Sequence, residues 1–265
     1  MEFKYTKKDI IKKINDAALL YQKNLLNKNI MFVFENKDNS LSYIETLFRD
    51  KNFQHLTGLK YKYNSKRFFN DCIANVISPN DIFISDDKIV FTYLKLEVLL
   101  SAMSINKIAK RIGDYNYHRE KVQVEKVIGN VSLCIGFSNT NEKGKVLKYY
   151  YPQTLLKDKI NYNTLNTNKI VAILSKEKYK ELYDEITYLS NDITFTRLFD
   201  NNKIGELINY ETVFSNNFKY QEKIDDFFND MRALEESNEI LISGDYERTI
   251  EEKDIFDKDP TDDLF

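Results

Sequence analysis

The stretch KVQVEKVIGNVSLCIGFS, residues 121–138, decides the architecture. Val122 and Val124, then Val131, Leu133, Ile135 and Phe137, recur every second residue, and Gly129-Asn130 stands between the two runs. Alternation with a turn pair in the middle predicts two antiparallel strands, because side chains on a strand point to opposite faces in turn. Upstream of this point the dominant period is closer to 3.6. Residues 7–27 place Ile10, Ile14, Ala18 and Tyr21 at helical spacing, residues 65–77 do so with Phe68, Phe69, Cys72 and Val76, and residues 94–112 with Leu96, Leu99, Leu100, Met103 and Ile108. Gly113 reads as the stop of that last helix. NIMFVFE (29–35) reads as a buried strand, with an extension of the preceding helix as the alternative. Ser42 through Glu45 has a capping-box pattern that predicts a short helix carrying Ile44, Leu47 and Phe48. DIFISDDKIVFTY (81–93) reads as a hairpin turning at Asp86-Asp87.

Downstream, VLKYYYP (146–152) and NKIVAIL (168–174) are two further β-rich runs, which brings the expected sheet to roughly four strands. The expectation is an α+β protein, with N-terminal helices packed on a four-stranded antiparallel sheet. Helices are predicted at 175–189 and around 217–237. The organisation expected is a domain at 1–175, a helical C-terminal extension at 176–244 packed on it, and a disordered acidic tail at 245–265.

Composition narrows the function classes. Apolar residues make up 42% and aromatics 14% of 265 residues, enough for a sizeable core. The net charge of −2 hides an asymmetry. Residues 245–265 carry nine acids and three bases, so the rest of the chain is mildly basic. That balance suits a polyanionic partner, with the tail free to modulate access or only to aid solubility. The two cysteines are far apart without CxxC spacing, and there are only two histidines, so neither a disulfide framework nor a protein-held metal is expected. No cofactor is expected. There is no apolar leader at the N-terminus, and no apolar run approaches the ~18–20 residues that span a bilayer. A cytoplasmic protein of a bacterial host, without membrane contact, is expected. Walker, GxGxxG, GxSxG and HExxH motifs are absent, and acid pairs such as Asp225-Asp226 and Glu235-Glu236 fall on segments read as solvated.

One family pattern does match in order and spacing. Its blocks are Asn52-Phe53-Gln54-His55-Leu56-Thr57-Gly58-Leu59, Phe68-Phe69-Asn70-Asp71-Cys72, Thr92-Tyr93-Leu94-Lys95-Leu96, Val127-Ile128-Gly129-Asn130, Ile135-Gly136-Phe137 and Tyr150-Tyr151-Pro152-Gln153-Thr154-Leu155-Leu156. The His-Leu-Thr-Gly block is the most specific. Over roughly residues 30–175 the chain resembles the phage Barnase–EndoU–Colicin–RelE-like nuclease domains, in their fourth group. The resemblance implies a barnase/EndoU/RelE-like fold and a metal-independent ribonuclease, deployed as a toxin or effector of a phage or mobile element. Residues 176–265 lie outside it.

Metal-free RNA cleavage needs a base for the ribose 2′-hydroxyl, cations for the phosphorane charge and an acid for the leaving 5′-oxygen. The catalytic candidates are therefore His55, as base or acid, with Thr57, Lys95 and Tyr151. Thr57 would bind a phosphate oxygen or orient His55, or else cap a helix. Lys95 would contact phosphate from an otherwise apolar stripe, or else sit at the surface. Tyr151, in the Tyr149–Tyr151 run, would stack a base or bond a phosphate. Lys66, Arg67, Ser138 and Thr140 are substrate-binding candidates. His118 reads as an exposed turn residue. Expected partners are RNA, tRNA included, and a cognate immunity or host-defence protein engaged through residues 176–265. The alternative function is a non-catalytic binding module that engages a host-defence or nucleic-acid-processing protein in an anti-defence or inhibitor role.

Overall fold

The computed structural model describes residues 5–117, 124–141, 143–216 and 220–233. The chain opens with α1 (Lys7–Asn24), capped by Thr6. The Thr6 hydroxyl accepts from Asp9 N at 3.2 Å, and the Asp9 carboxylate accepts from Thr6 N at 2.9 Å. Two otherwise orphaned helix-end donors are satisfied in this way. There follow β1 (Lys28–Glu35), β2 (Leu41–Leu47), α2 (Asp50–Thr57), β3 (Lys60–Tyr61), α3 (Ser65–Ile73), β4 (Ile82–Phe83), α4 (Ile89–Ala102) and α5 (Ile105–Ile108). The second half contains β5 (Arg111–Tyr115), β6 (Lys126–Gly129), β7 (Cys134–Thr140), β8 (Val146–Leu156), α6 (Ile160–Asn163), β9 (Thr164–Glu177) and β10 (Glu185–Leu189). Short helices α7 (Phe195–Phe199), α8 (Asn202–Gly205) and α9 (Tyr210–Asn216) come next, and residues 221–233 are helical.

The sheet runs β1-β2-β8-β7-β6-β5-β9 and closes on itself, because β9 also pairs with β1. The result is a closed, mixed seven-strand barrel, with β10 added to β9 outside the ring. All ring pairings are antiparallel except β2 with β8, which is parallel and rests on the single pair Thr46↔Tyr150. The expected four-stranded antiparallel sheet is therefore incorrect, although helices and strands are both present as expected. The reason lies in β9. At 14 residues it is long enough to pair with β5 along its first part and with β1 along its second. One strand thus joins the N-terminal hairpin to β5, and through it to β6, β7 and β8.

Four local readings also fail, each for a physical reason. Residues 42–48 are strand and bridge rather than helix. β1 and β2 form a hairpin whose turn holds Asn39 at φ 63°, and NKDNS is turn chemistry that outweighs the capping-box pattern. Residues 86–93 do not turn back as a hairpin. Asp86–Lys88 form a 3-10 turn, and the β-branched run after it becomes the start of α4, because Leu96, Leu99 and Ala102 bury a helical face against the core. Within 175–189, residues 185–189 are a strand, as the Ile-Thr-Tyr content of EITYL favours. Gly113 does not stop a helix. It sits in β5, where a Cβ would lie 2.0 Å from Asn166 O on the neighbouring strand.

β1 is buried on both faces, which explains its unbroken apolar sequence. Ile30, Phe32 and Phe34 join the core shared with α1, α2, α3 and α4. Met31 and Val33 join a second core with Tyr183, Ile193, Phe195 and Leu198. Aromatic contacts tie the helices to the barrel. Tyr21 of α1 packs 6.0 Å from Phe48, which packs 5.8 Å from Phe137 of β7, both in edge-to-face geometry. The Tyr21 hydroxyl also donates to Arg49 O at 2.8 Å, which fixes where α2 begins.

Candidate active site

α2 is the inner support of the site. Phe53 and Leu56 are buried, and this inward face leaves Lys51 and His55 exposed one turn apart. Residues four apart on a helix lie on the same side, so the ammonium and the imidazole face solvent together. The start of the helix is held by Arg49 N, which donates to Asn52 Oδ1 at 3.1 Å. Its end is held by three contacts. The Thr57 hydroxyl donates to Gln54 O at 2.8 Å and accepts from Leu59 N at 3.1 Å, and Gly58 takes the left-handed conformation at φ 74°.

The facing wall is the β7–β8 hairpin. Tyr151 on β8 stands opposite Ser138 on β7. Arg49 reaches across from the start of α2. Its Nη2 donates to the Tyr151 hydroxyl at 2.7 Å, and its guanidinium carbon lies 4.6 Å from the Tyr151 ring centroid. Behind Ser138 stands Glu125, which accepts from the Ser138 hydroxyl at 2.7 Å. Thr140 N in turn donates to Ser138 Oγ at 3.1 Å. Burial by itself would raise the Glu125 pKa. Hydrogen bonds from the Thr140 and Ser138 side chains and from the Asn139 and Thr140 backbone outweigh it, and the carboxyl is held below its ordinary range.

Between the walls is an open cleft of about 560 Å³, lined by Arg49, Lys51, His55, Ser138, Thr140 and Tyr151 among others. Lys143 adds a further cation at its rim, and no Asp or Glu occurs among the described lining residues. Cations, hydroxyls and one imidazole facing a common space can receive a phosphodiester and move its protons.

Of the residues singled out in the sequence, His55, Tyr151, Ser138 and Thr140 meet in this cleft. Lys95 does not line it. Its amine donates to Thr154 Oγ1 at 3.1 Å and to His55 O at 3.5 Å, and so lies behind the histidine against the last carbonyls of α2. A cation there also complements the helix dipole. Thr57 is fully buried and caps the helix, so its hydroxyl does not face the cleft. Lys66 and Arg67 lie on α3 outside the cleft lining, with Arg67 paired to Asp71 at 3.3 Å and stacked 3.7 Å from the Tyr63 ring centroid. His118 and the acidic tail lie outside the described residues.

Arg49, Lys51 and Glu125 were not read from the sequence. The spacing Arg49-x-Lys51-x-x-x-His55 would have shown the first two, had 42–48 been read as a strand leading into a new helix. Glu125 carried no local signal, because its role depends on the cross-strand hydroxyls. Both cysteines are buried and free, and burial pushes the Cys134 thiol up to about 12. No helix among the described residues is long and apolar enough to cross a membrane, and no group of three or more metal-ligating side chains occurs among them.

A model of the family described as phage-Barnase-EndoU-ColicinE5/D-RelE like nuclease4 matches residues 13–192, more than half of the chain. The match runs from within α1 through β10 and includes the whole cleft. No curated protein and no solved structure matches.

Proposed function

This chain belongs to the phage-Barnase-EndoU-ColicinE5/D-RelE like nuclease family, and on that premise we propose that the cleft between α2 and the β7–β8 hairpin cleaves RNA. In the reaction, the ribose 2′-oxygen attacks the adjacent phosphorus and the bond to the 5′-oxygen breaks. The products are a 2′,3′-cyclic phosphate and a 5′-hydroxyl. His55 takes the 2′-hydroxyl proton or protonates the leaving 5′-oxygen, since an imidazole can accept or give a proton at neutral pH, and water in the open cleft makes the other proton transfer. Arg49 and Lys51 carry the charge that builds on the phosphorane oxygens. Tyr151 fixes the Arg49 guanidinium in place. Ser138 and Thr140 direct their hydroxyl protons to the ionised Glu125, which leaves their oxygens as acceptors for a ribose hydroxyl. Lys95 is a positioning residue, which holds the helix end that carries His55. The chemistry draws on these side chains and on solvent water, and the biological setting is a toxin or effector of a phage or mobile element.

The observation that carries this reading is the convergence on one open cleft of His55, Arg49 and Tyr151, the last two 102 residues apart in the chain. The test is incubation of total bacterial RNA and purified tRNA with wild type and His55→Ala in EDTA, read on a denaturing gel. Discrete fragments from the wild type, with a rate loss on the order of 10²–10⁴ in the variant, are expected. Intact RNA with the wild type, or full activity in the variant, would overturn the assignment.

A second reading is a module that binds a host-defence or immunity protein without turnover. The exposed side chains of Tyr210, Phe228 and Met231, all beyond the family match, favour it. A stable complex with an isolated partner and no RNA cleavage would decide for it.

A further inference from the structure

A second cleft, of about 660 Å³, adjoins the first. Gln153 lines both, and Lys95, whose amine holds the His55 carbonyl, lines the second. The far wall is the start of α4, where Lys88, Phe91 and Leu94 face Thr154 and Lys157 of the β8 side; Asp87 and Asp158 also line this cleft, beside the cations Lys88, Lys95 and Lys157. Phe91 is 52% exposed. The buried face of α4 is Leu96, Leu99 and Ala102, so the Phe91 ring adds nothing to the core. An exposed aromatic ring beside lysines and an amide, in direct continuity with a phosphate-sized cationic cleft, has the composition of a stacking platform for an unpaired nucleobase.

We infer that this second cleft binds the base of a nucleotide flanking the scissile phosphate, stacked on Phe91, with the Gln153 amide between the two subsites; the inference rests on the nuclease reading. The occupant is single-stranded RNA. A peptide would have no use for continuity with a cationic cleft free of lining acids, and a duplex would keep its bases away from the ring. Lys88 lies beside Phe91 and provides a cation for the next phosphate along the strand.

The test uses the full chain and 2′-O-methyl oligonucleotides, which cannot be cleaved by 2′-oxygen attack. Fluorescence anisotropy measures the affinity of wild type, Phe91→Ala and Phe91→Trp for a dinucleotide and a hexanucleotide. Cleavage of the unmodified hexanucleotide is followed in parallel. Phe91→Ala should weaken hexanucleotide binding roughly tenfold, the scale of one base–aromatic stack, and Phe91→Trp should restore it. Hexanucleotide affinity unchanged in Phe91→Ala, with cleavage retained, overturns the subsite and leaves the nuclease reading standing. Phe91-dependent binding without any cleavage overturns the nuclease reading and upholds the subsite. A wild type that neither binds nor cleaves overturns both.

Discussion

Replacing Gly58 by alanine perturbs the site without touching any group that faces it. Gly58 ends α2 at φ 74°, a conformation that costs an L-residue about 1–2 kcal/mol. The added Cβ would also lie 3.1 Å from Lys95 Cδ and 3.2 Å from Thr92 Oγ1. Neither neighbour is loose. Thr92 donates to Gly58 O at 3.2 Å, and the Lys95 amine is held by Thr154. Giving way by a few tenths of an ångström there adds about 0.5–1 kcal/mol, of the order of mild overpacking. The sum is about 2 kcal/mol, equivalent to a fall of roughly 4–8 °C in Tm for a domain of this size. Asparagine is the control. The chain places Asn at every described non-glycine residue with positive φ, namely Asn27, Asn39 and Asn75. Gly58→Asn therefore meets the same crowding with much less backbone strain, and should lose about half as much stability. Thermal melts followed by circular dichroism read all three proteins. An alanine variant that melts with the wild type, or an asparagine variant that melts below the alanine one, would refute the account of how α2 is terminated.

Two further outcomes follow from the site. Arg49→Lys keeps the charge but loses the planar donor that bonds Tyr151 at 2.7 Å and stacks on its ring, so single-turnover RNA cleavage should fall about 10²-fold; an unchanged rate would reduce Arg49 to a plain cation. Glu125 has a folded-state pKa below its unfolded value, so the stability it contributes is present above pH ~4.5 and lost as pH falls through the lower folded value. Glu125→Gln should accordingly flatten the decline of Tm on acidification, and parallel curves for the two proteins would show that the Ser138–Glu125 bond adds no net stability.

What could be read in the sequence depended on the range of the interaction that decides it. α1, β1, α3 and the β6–β7 hairpin followed from local period, and all four occur in the structure. The hairpin is shorter than read, with its first strand beginning at Lys126 and residues 121–123 outside the described residues, and in its turn Asn130 Oδ1 accepts from Ser132 N and Leu133 N and extends the loop over residues 130–133. Barrel closure could not be read in this way, because the pairing of β1 with β9 joins Lys28 to Glu177, and no local pattern encodes a partner so far along the chain. The site behaved likewise. His55, Tyr151, Ser138 and Thr140 stood out by chemistry or motif, whereas Lys95 and Thr57 stood out equally and turned out to serve the end of α2. Scarcity and motif membership mark residues worth placing, but only tertiary contacts separate an outward side chain from an inward one.

The closing strand also sets an order of events during synthesis. β1 and β2 leave the ribosome early, while β9, which seals the ring to β1, is separated from them by more than a hundred residues. Contacts of such sequence separation form late, because the loop between them must be closed before they contribute. The walls of the cleft have the same separation, with α2 on one side and β8 on the other. A nascent chain thus holds Arg49, Lys51 and His55 on a helix with no facing wall until β8, about a hundred residues further along, has emerged. For a protein whose proposed substrate surrounds it during translation, long-range closure delays the assembly of the site.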